Sequence, residues 1–93
     1  MISINEYFGG NVKSIGYTSS TGKSTIGVME AGDYEFGTST HETMTVVEGA
    51  MTVKLPGDSE WTTYKAGESY QIDANKKFLV KVSGQTSYLC QYK

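Results

Sequence analysis

The feature that most constrains the fold of this chain is a succession of short strand-like segments separated by turn residues. Nine segments carry strand-type residues, and the gaps between them contain glycine, asparagine, aspartate, serine or the single proline. Short strands that recur every 8–12 residues or so favour an all-β sandwich or barrel. The predicted strands are Val12–Ser19, Thr25–Met29, Tyr34–Thr38, Met44–Val47, Ala50–Leu55, Trp61–Tyr64, Ser69–Ile72, Lys77–Val82 and Ser87–Tyr92. A short turn over Asn5–Phe8 is the one helix-like signal.

Residue alternation inside these segments separates an apolar face from a solvent-exposed face. Phe78, Val80 and Val82 alternate with Lys77 and Lys81, and successive side chains of a strand point to opposite faces of a sheet. Closing such strands into a barrel or jelly roll removes their exposed edges. Because the 93 residues contain no internal repeat and no linker, we expect residues 1–93 to form one small all-β jelly-roll domain.

Charge and cysteine content exclude several classes of function. The chain carries 8 Lys+Arg against 10 Asp+Glu, a net charge of -2, without a long basic stripe. A nucleic-acid polymer is therefore not an expected partner. The single cysteine, Cys90, excludes an intramolecular disulfide and a thiolate zinc site. Since we find neither an apolar run of ~18 residues nor a secretion signal at Met1–Glu6, we expect a cytoplasmic protein outside the membrane.

The motif Gly22-Lys23-Ser24 resembles the end of a phosphate-binding P-loop. A full P-loop has a second glycine five residues before Gly22 and opens a helix, but Tyr17 holds that position and a strand-like run follows. A nucleoside-triphosphate P-loop is therefore rejected. Two interpretations stay open: a hairpin turn with a solvated lysine, or a local anion site in which Lys23, with Ser20 or Ser24, works beside turn amides.

The spacing of Glu42, Gly49 and Gly67 is similar to that of the two cupin motifs. A metal-binding cupin carries two histidines just before the glutamate of its first motif and another within its second motif. Here those positions fall at Thr38, Thr40 and Phe78. A metal centre needs three or four converging N, O or S ligands, so we expect no metal cofactor.

Glu42 has two interpretations, and the neighbouring titratable residues are less informative. As a loop carboxylate Glu42 is simply solvated; in a cupin-like barrel it faces the cavity and accepts hydrogen bonds from sugar hydroxyls. His41, the only histidine, has no obvious partner. Cys90 lies in a strand pattern, where a buried thiol is usually inert. Tyr88, Cys90 and Tyr92 share one face of that strand by alternation, and a cavity lined by some of the aromatics would suit a planar base.

Four sequence blocks, taken in order, resemble the cupin-type pyrimidine/purine nucleoside phosphorylases almost end to end. The blocks are Asn5–Phe8, Val12–Gly16, Met44–Val46 and Thr86–Cys90. The resemblance implies a cupin fold, a cytosolic bacterial enzyme and a homodimer. It also implies an enzyme of broad specificity, which cleaves purine and pyrimidine nucleosides with phosphate to give the free base and α-D-ribose 1-phosphate.

The sequence departs from the family pattern at a few positions. Lys23 and Gln91 stand where arginines are expected, His41 stands in place of a proline, and Thr43 in place of a glutamate. Arginine grips phosphate bidentately, whereas lysine acts as a point charge. These departures bear on phosphate affinity more than on the fold.

Within this resemblance we assign three roles. Glu42 is the catalytic residue, anchoring the sugar and stabilising its developing positive charge. Lys23, with Ser20 or Ser24, is the anion grip. The base slot is drawn from Tyr7, Phe8, Phe36, Phe78 and Tyr88. The alternative function is a non-catalytic cupin that binds a small sugar or nucleotide ligand, because cupin folds host many functions.

Overall fold

Ten antiparallel strands form two facing sheets in the computed structural model, which describes residues 1–92. A six-stranded sheet has the order β1-β2-β3-β10-β5-β8, and a four-stranded sheet has the order β4-β9-β6-β7. The strands are β1 Ser3–Tyr7, β2 Val12–Ser19, β3 Gly22–Met29, β4 Gly32–Gly37, β5 Glu42–Glu48, β6 Ala50–Lys54, β7 Thr62–Lys65, β8 Ser69–Ile72, β9 Lys77–Val82 and β10 Thr86–Tyr92. The all-β jelly-roll prediction is confirmed.

The core lies between the two sheets and follows the predicted alternation. Phe78, Val80 and Val82 are buried, while Lys77 and Lys81 on the same strand are exposed. Burying a side chain of this size contributes about 1.5–3 kcal/mol, so the inward rows hold the sheets together. The part of the chain described here contains no helix long and apolar enough to cross a membrane.

The turn predicted over Asn5–Phe8 is wrong, because Ser3–Tyr7 is strand β1 at the edge of the six-stranded sheet. A one-turn 3₁₀ helix occupies only Phe8–Gly10. The usual pattern of apolar residues inside and polar residues outside is inverted in β1. The polar Asn5 faces inward, with its amide 3.4 Å from the hydroxyl of Ser14, whereas Ile4 is 78% exposed. Apolar alternation could not identify a strand whose inner face is polar.

Most other predicted strands are confirmed with shifted ends. β3 begins at Gly22, because Ser19 pairs with Gly22 and leaves a two-residue hairpin turn. This geometry confirms the hairpin and the rejection of a P-loop, since a strand follows the glycine. Thr38 lies outside β4, and its hydroxyl instead donates to the carbonyl of Asp73 at 2.6 Å. Trp61 precedes β7, and the Lys81 Nζ lies 4.2 Å from its ring centroid.

Candidate functional site

A cavity of about 420 Å³, called here the inner cavity, lies between the two sheets. Aromatic rings from four strands and the 3₁₀ turn form much of its wall. The rings are those of Tyr7, Phe8, Phe36, Phe78, Tyr88 and Tyr92. All five aromatic residues predicted from the sequence for a base slot therefore line one space. Aromatic walls provide π faces on which any nucleobase can stack.

The aromatic wall is held by ring-to-ring contacts between elements that are distant in sequence. Phe36 stacks on Phe78, with ring centroids 5.7 Å apart, because β4 pairs with β9 and sets these two residues opposite each other. Phe8 meets Phe36 edge-on at 5.5 Å. Pairs of this kind contribute about 0.5–1.5 kcal/mol beyond simple burial. Phe78, which falls at the position of a cupin's metal-binding histidine, is buried and lines the cavity.

Tyr88 occupies its place because the neighbouring strand provides a glycine. Tyr88 pairs across β10 and β3 with Gly27, and a Cβ built on Gly27 would lie 2.5 Å from the Tyr88 ring. Real Cβ atoms essentially never show such a contact. The tyrosine ring therefore uses the space that any other residue at position 27 would fill.

Glu42 is the first residue of β5 and lines the inner cavity. Its half-buried carboxylate accepts a hydrogen bond from the Cys90 thiol, with Oε1 and Sγ 3.4 Å apart. Burial raises the pKa of Glu42, while the Cys90 hydrogen bond and then the nearby His41 lower it. Of the two interpretations of Glu42, this position favours the carboxylate that faces a cavity.

The thiol and phenols around Glu42 are weaker acids than usual. Burial raises the pKa of Cys90 to about 12, and burial also raises the pKa of Tyr70, Tyr88 and Tyr92. These groups are therefore protonated and uncharged near neutral pH. The carboxyl group of Glu42 lies beside them, and burial raises its pKa as well.

A second space, the outer cleft, adjoins the inner cavity and measures about 460 Å³. Lys23 and Ser24 line this cleft, whereas Ser20 lies exposed in the hairpin turn and lines neither space. Tyr7 and Tyr92 line both spaces. The structure thus brings Lys23 and Ser24, but not Ser20, next to the aromatic site.

Sequence reasoning gave no role to three side chains of this region, Thr25, Cys90 and Tyr92. Thr25 lines the outer cleft, and period-two alternation places it on the same face of β3 as Lys23. Its hydroxyl lies 3.1 Å from the Tyr92 hydroxyl. Cys90, which the sequence suggested to be inert, contacts Glu42. Counting two residues on from Lys23 could have identified Thr25. The contact of Cys90 with Glu42 depends on the pairing of β5 with β10, which leaves no signal in the local sequence.

His41 has a partner that the sequence did not predict. Its Nδ1 lies 3.3 Å from Oδ1 of Asp73, in the loop after β8, although Asp73 is largely exposed. Within residues 1–92, no three His, Cys, Asp or Glu side chains come together in a group that could hold a metal ion.

Two comparisons relate the whole chain to known sequences. Residues 2–92 match the family described as pyrimidine/purine nucleoside phosphorylase. The chain is 60% identical over 92 residues to a protein of that name from Pseudoalteromonas atlantica, covering 99% of both chains. It is 58% identical to a protein of the same name from Alcanivorax borkumensis, covering 99% of this chain and 98% of that protein.

Solved structures of other proteins share the fold of this chain. A protein of unknown function from Vibrio parahaemolyticus shares 45% identity at a TM-score of 0.96, with 100% of this chain and 99% of that chain covered. An RmlC-like cupin from Shewanella frigidimarina superposes with a TM-score of 0.73 over 99% of this chain and 83% of that chain. Its 16% identity shows the fold alone, and that fold is the cupin barrel expected from the sequence.

Proposed function

The chain belongs to the pyrimidine/purine nucleoside phosphorylase family, and from that premise we propose that it cleaves purine and pyrimidine nucleosides with inorganic phosphate. The products are the free base and α-D-ribose 1-phosphate. The observation that carries the proposal is a pair of adjoining spaces that meet at Tyr7 and Tyr92. One space is aromatic and contains a carboxylate, and the other contains a lysine. A reaction between a nucleoside and an anion needs both environments side by side.

In the proposed reaction a phosphate oxygen bonds to the anomeric carbon of the sugar as the bond to the base breaks, and positive charge develops on the sugar in between. The electron pair of the broken bond leaves with the base nitrogen, which takes up the proton that the hydrogen phosphate loses. Glu42 is positioned on the inner-cavity wall, where a carboxylate can accept hydrogen bonds from sugar hydroxyls and stabilise that charge. A fixed charge aimed at a developing charge is among the strongest contributions to catalysis.

Broad specificity follows, in this proposal, from recognition of the base by its faces. Phe36, Phe78 and Tyr88 supply ring surface in the inner cavity. Stacking tolerates every base because every base has a π face. Few base-specific hydrogen bonds would then be needed to hold either a purine or a pyrimidine.

Phosphate is proposed to bind in the outer cleft at Lys23. Ser24 and Thr25 line the same cleft and offer hydroxyl groups, although strand alternation turns neighbouring side chains to opposite faces. Thr25 is therefore the better companion of Lys23. Holding phosphate beside the sugar converts a bimolecular step into a positioned one, an advantage on the order of 7–11 kcal/mol in the best model cases.

Base release tests the proposal directly. The purified protein is incubated with uridine or adenosine, with and without inorganic phosphate, and free base is separated by chromatography. Base release that requires phosphate and survives EDTA supports phosphorolysis. Saturable nucleoside binding without base release would instead support the rival function, a cupin that binds a small ligand. Loss of activity in EDTA with recovery on adding a divalent ion would indicate a metal-dependent enzyme.

A homodimer in the cytoplasm is also part of the proposal. The outer face of the six-stranded sheet carries an apolar row, in which Ile4 pairs with Ile15, Ile15 with Ile26, and Ile26 with Leu89. Ile4, Ile15 and Ile26 are 78%, 50% and 47% exposed. A contiguous apolar patch on a small domain supports association with another surface, and a two-fold pair would place this row against its own copy.

A further inference from the structure

Four polar side chains on three neighbouring strands connect the outer cleft to the inner cavity. Thr25 on β3 lies 3.1 Å from the Tyr92 hydroxyl, and Cys90, two residues before Tyr92 on β10, lies 3.4 Å from the Glu42 carboxylate on β5. Register creates this arrangement, since Cys90 pairs with Thr25 on one side and Tyr92 pairs with Glu42 on the other. The side chains therefore share the inward face of the sheet.

The direction of the contact between Cys90 and Glu42 follows from their acidities. The thiol stays protonated at neutral pH because burial raises its pKa to about 12, so Sγ donates and the carboxylate accepts. Among residues 1–92, the bond from the Cys90 thiol is the one side-chain hydrogen bond that the Glu42 carboxylate makes. A half-buried carboxylate with one donor depends on that donor for its orientation.

Packing supports the thiol from the side opposite Glu42. Cys90 is 2% exposed; burial raises the pKa of its thiol, and the nearby hydroxyls of Tyr92 and Thr25, which lie 3.1 Å from each other, lower that pKa only in part. A side chain with so little freedom fixes the atoms that it contacts. The sulfur therefore holds one place on the cavity wall.

We propose that Cys90 is a positioning residue for the phosphorolysis: its thiol holds the Glu42 carboxylate in the orientation that meets the sugar. The inference rests on the proposed function for its catalytic meaning, because Cys90 acts through Glu42. No covalent step on sulfur is involved. A serine at this position keeps a donor of similar size, and an alanine removes it, which makes these two variants a matched pair.

The pH profile of the reaction separates positioning from packing. Removing the donor takes away an interaction that lowers the pKa of Glu42, so the acid limb of kcat/KM moves to higher pH in Cys90→Ala. We expect kcat/KM for nucleoside at pH 7 to fall about 3- to 10-fold in that variant, the range of one modest hydrogen bond. Cys90→Ser is expected to stay within about 2-fold of the parent, with its acid limb unmoved or at lower pH.

Other titratable groups near Glu42 are the same in every variant. They are Tyr7, His41, Tyr70, Tyr88 and Tyr92. A difference between Cys90→Ser and Cys90→Ala therefore reports the donor itself. In the Glu42→Gln background, Cys90→Ala is expected to cost nothing further, because a residue that acts only through Glu42 has no effect once the carboxylate is gone.

A second measurement does not depend on catalysis. NMR titration of the Glu42 side-chain carboxyl in the full chain follows its ionisation in the parent and in both variants. We expect the Glu42 pKa to rise in Cys90→Ala and not in Cys90→Ser. If the parent protein releases no base but shows this pKa pattern, the phosphorylase proposal is overturned. The hydrogen bond between the Cys90 thiol and the Glu42 carboxylate would still be supported.

The proposal is overturned if the folded alanine variant keeps the parent's titration and pH profile. Equal losses in the serine and alanine variants would overturn it as well, since they would mean that the sulfur serves only as packing. Thermal melts of each variant establish which of them are folded.

Discussion

Glu42 illustrates how one residue combines stability and chemistry. Burial raises the pKa of its carboxyl, so the folded state binds this proton more tightly than the unfolded chain does. Stability linked to such a group is present below the unfolded pKa and is lost as pH rises through the folded pKa. The ionised carboxylate, which is the form that the proposed mechanism uses, is therefore held at some cost to the stability of the fold.

Glu42→Gln separates these two effects. We expect kcat/KM for nucleoside to fall roughly 10²–10³-fold, the effect of losing one electrostatic stabiliser. At pH 7 the melting temperature should rise, because the amide does not carry the charge that burial disfavours. The difference in melting temperature should vanish below about pH 4, where both states of the parent are protonated. Steady-state kinetics and melts across pH check both parts, and an unchanged kcat/KM would remove Glu42 from the mechanism.

Lys23 tests the anion side of the site. Lys23 is exposed on β3 and lines the outer cleft, so Lys23→Ala should leave the melting temperature within the small range of surface changes. The KM for phosphate should rise more than the KM for nucleoside. Lys23→Arg should keep or improve phosphate binding, because the guanidinium fork matches phosphate oxygens.

A neighbouring residue provides the control for Lys23. Ser20→Ala changes the exposed hairpin turn, which lines neither space, and should leave both KM values unchanged. If Lys23→Ala also leaves them unchanged, phosphate binds elsewhere on the protein.

At the scale of elements, the contact between β3 and β10 sets the shape of the inner cavity. Gly27→Ala would place a Cβ 2.5 Å from the Tyr88 ring, which forces that ring to move. Overpacking of this kind costs about 1–3 kcal/mol, so a melting temperature several degrees lower is expected. The KM for nucleoside should also rise, since Tyr88 lines the inner cavity. Gly84→Ala is the matched control, because nothing lies within 4 Å of its Cβ position.

Alternation predicted the elements that bury apolar rows and failed for those that do not. β9 was recognised with its full bounds, because Phe78, Val80 and Val82 alternate with lysines. β1 was missed because its inward side chains are polar, as Asn5 shows by its contact with Ser14. The inner-cavity aromatics were predicted by combining alternation with family resemblance. The contact between Glu42 and Cys90 joins residues 48 positions apart, so only the register of β5 against β10 reveals it.

At the scale of the whole molecule, small size makes association valuable. A chain of 93 residues buries a smaller fraction of its surface than a larger domain does. The outer face of the six-stranded sheet leaves Ile4, Ile15, Ile26 and Val28 about half exposed or more. Burying this row against a second copy would contribute about 25 cal/mol of free energy for each Å² of apolar surface buried. The entropy lost on association opposes this gain.

Ile15→Asp tests whether the apolar row of the six-stranded sheet holds two copies together. Ile15 lies mid-row, between Ile4 and Ile26, so a charge there would be desolvated by a facing copy without its own partner. The parent is expected to sediment as a dimer of the 10.1 kDa chain, and the variant as a folded monomer with a lower melting temperature. Leu79→Asp places the same charge on the outer face of the four-stranded sheet, where Leu79 pairs with Glu35 and Lys54, and should leave the dimer intact. A variant Ile15→Asp that stays dimeric would move the interface to another face, and a parent that is monomeric at all concentrations would overturn the dimer itself.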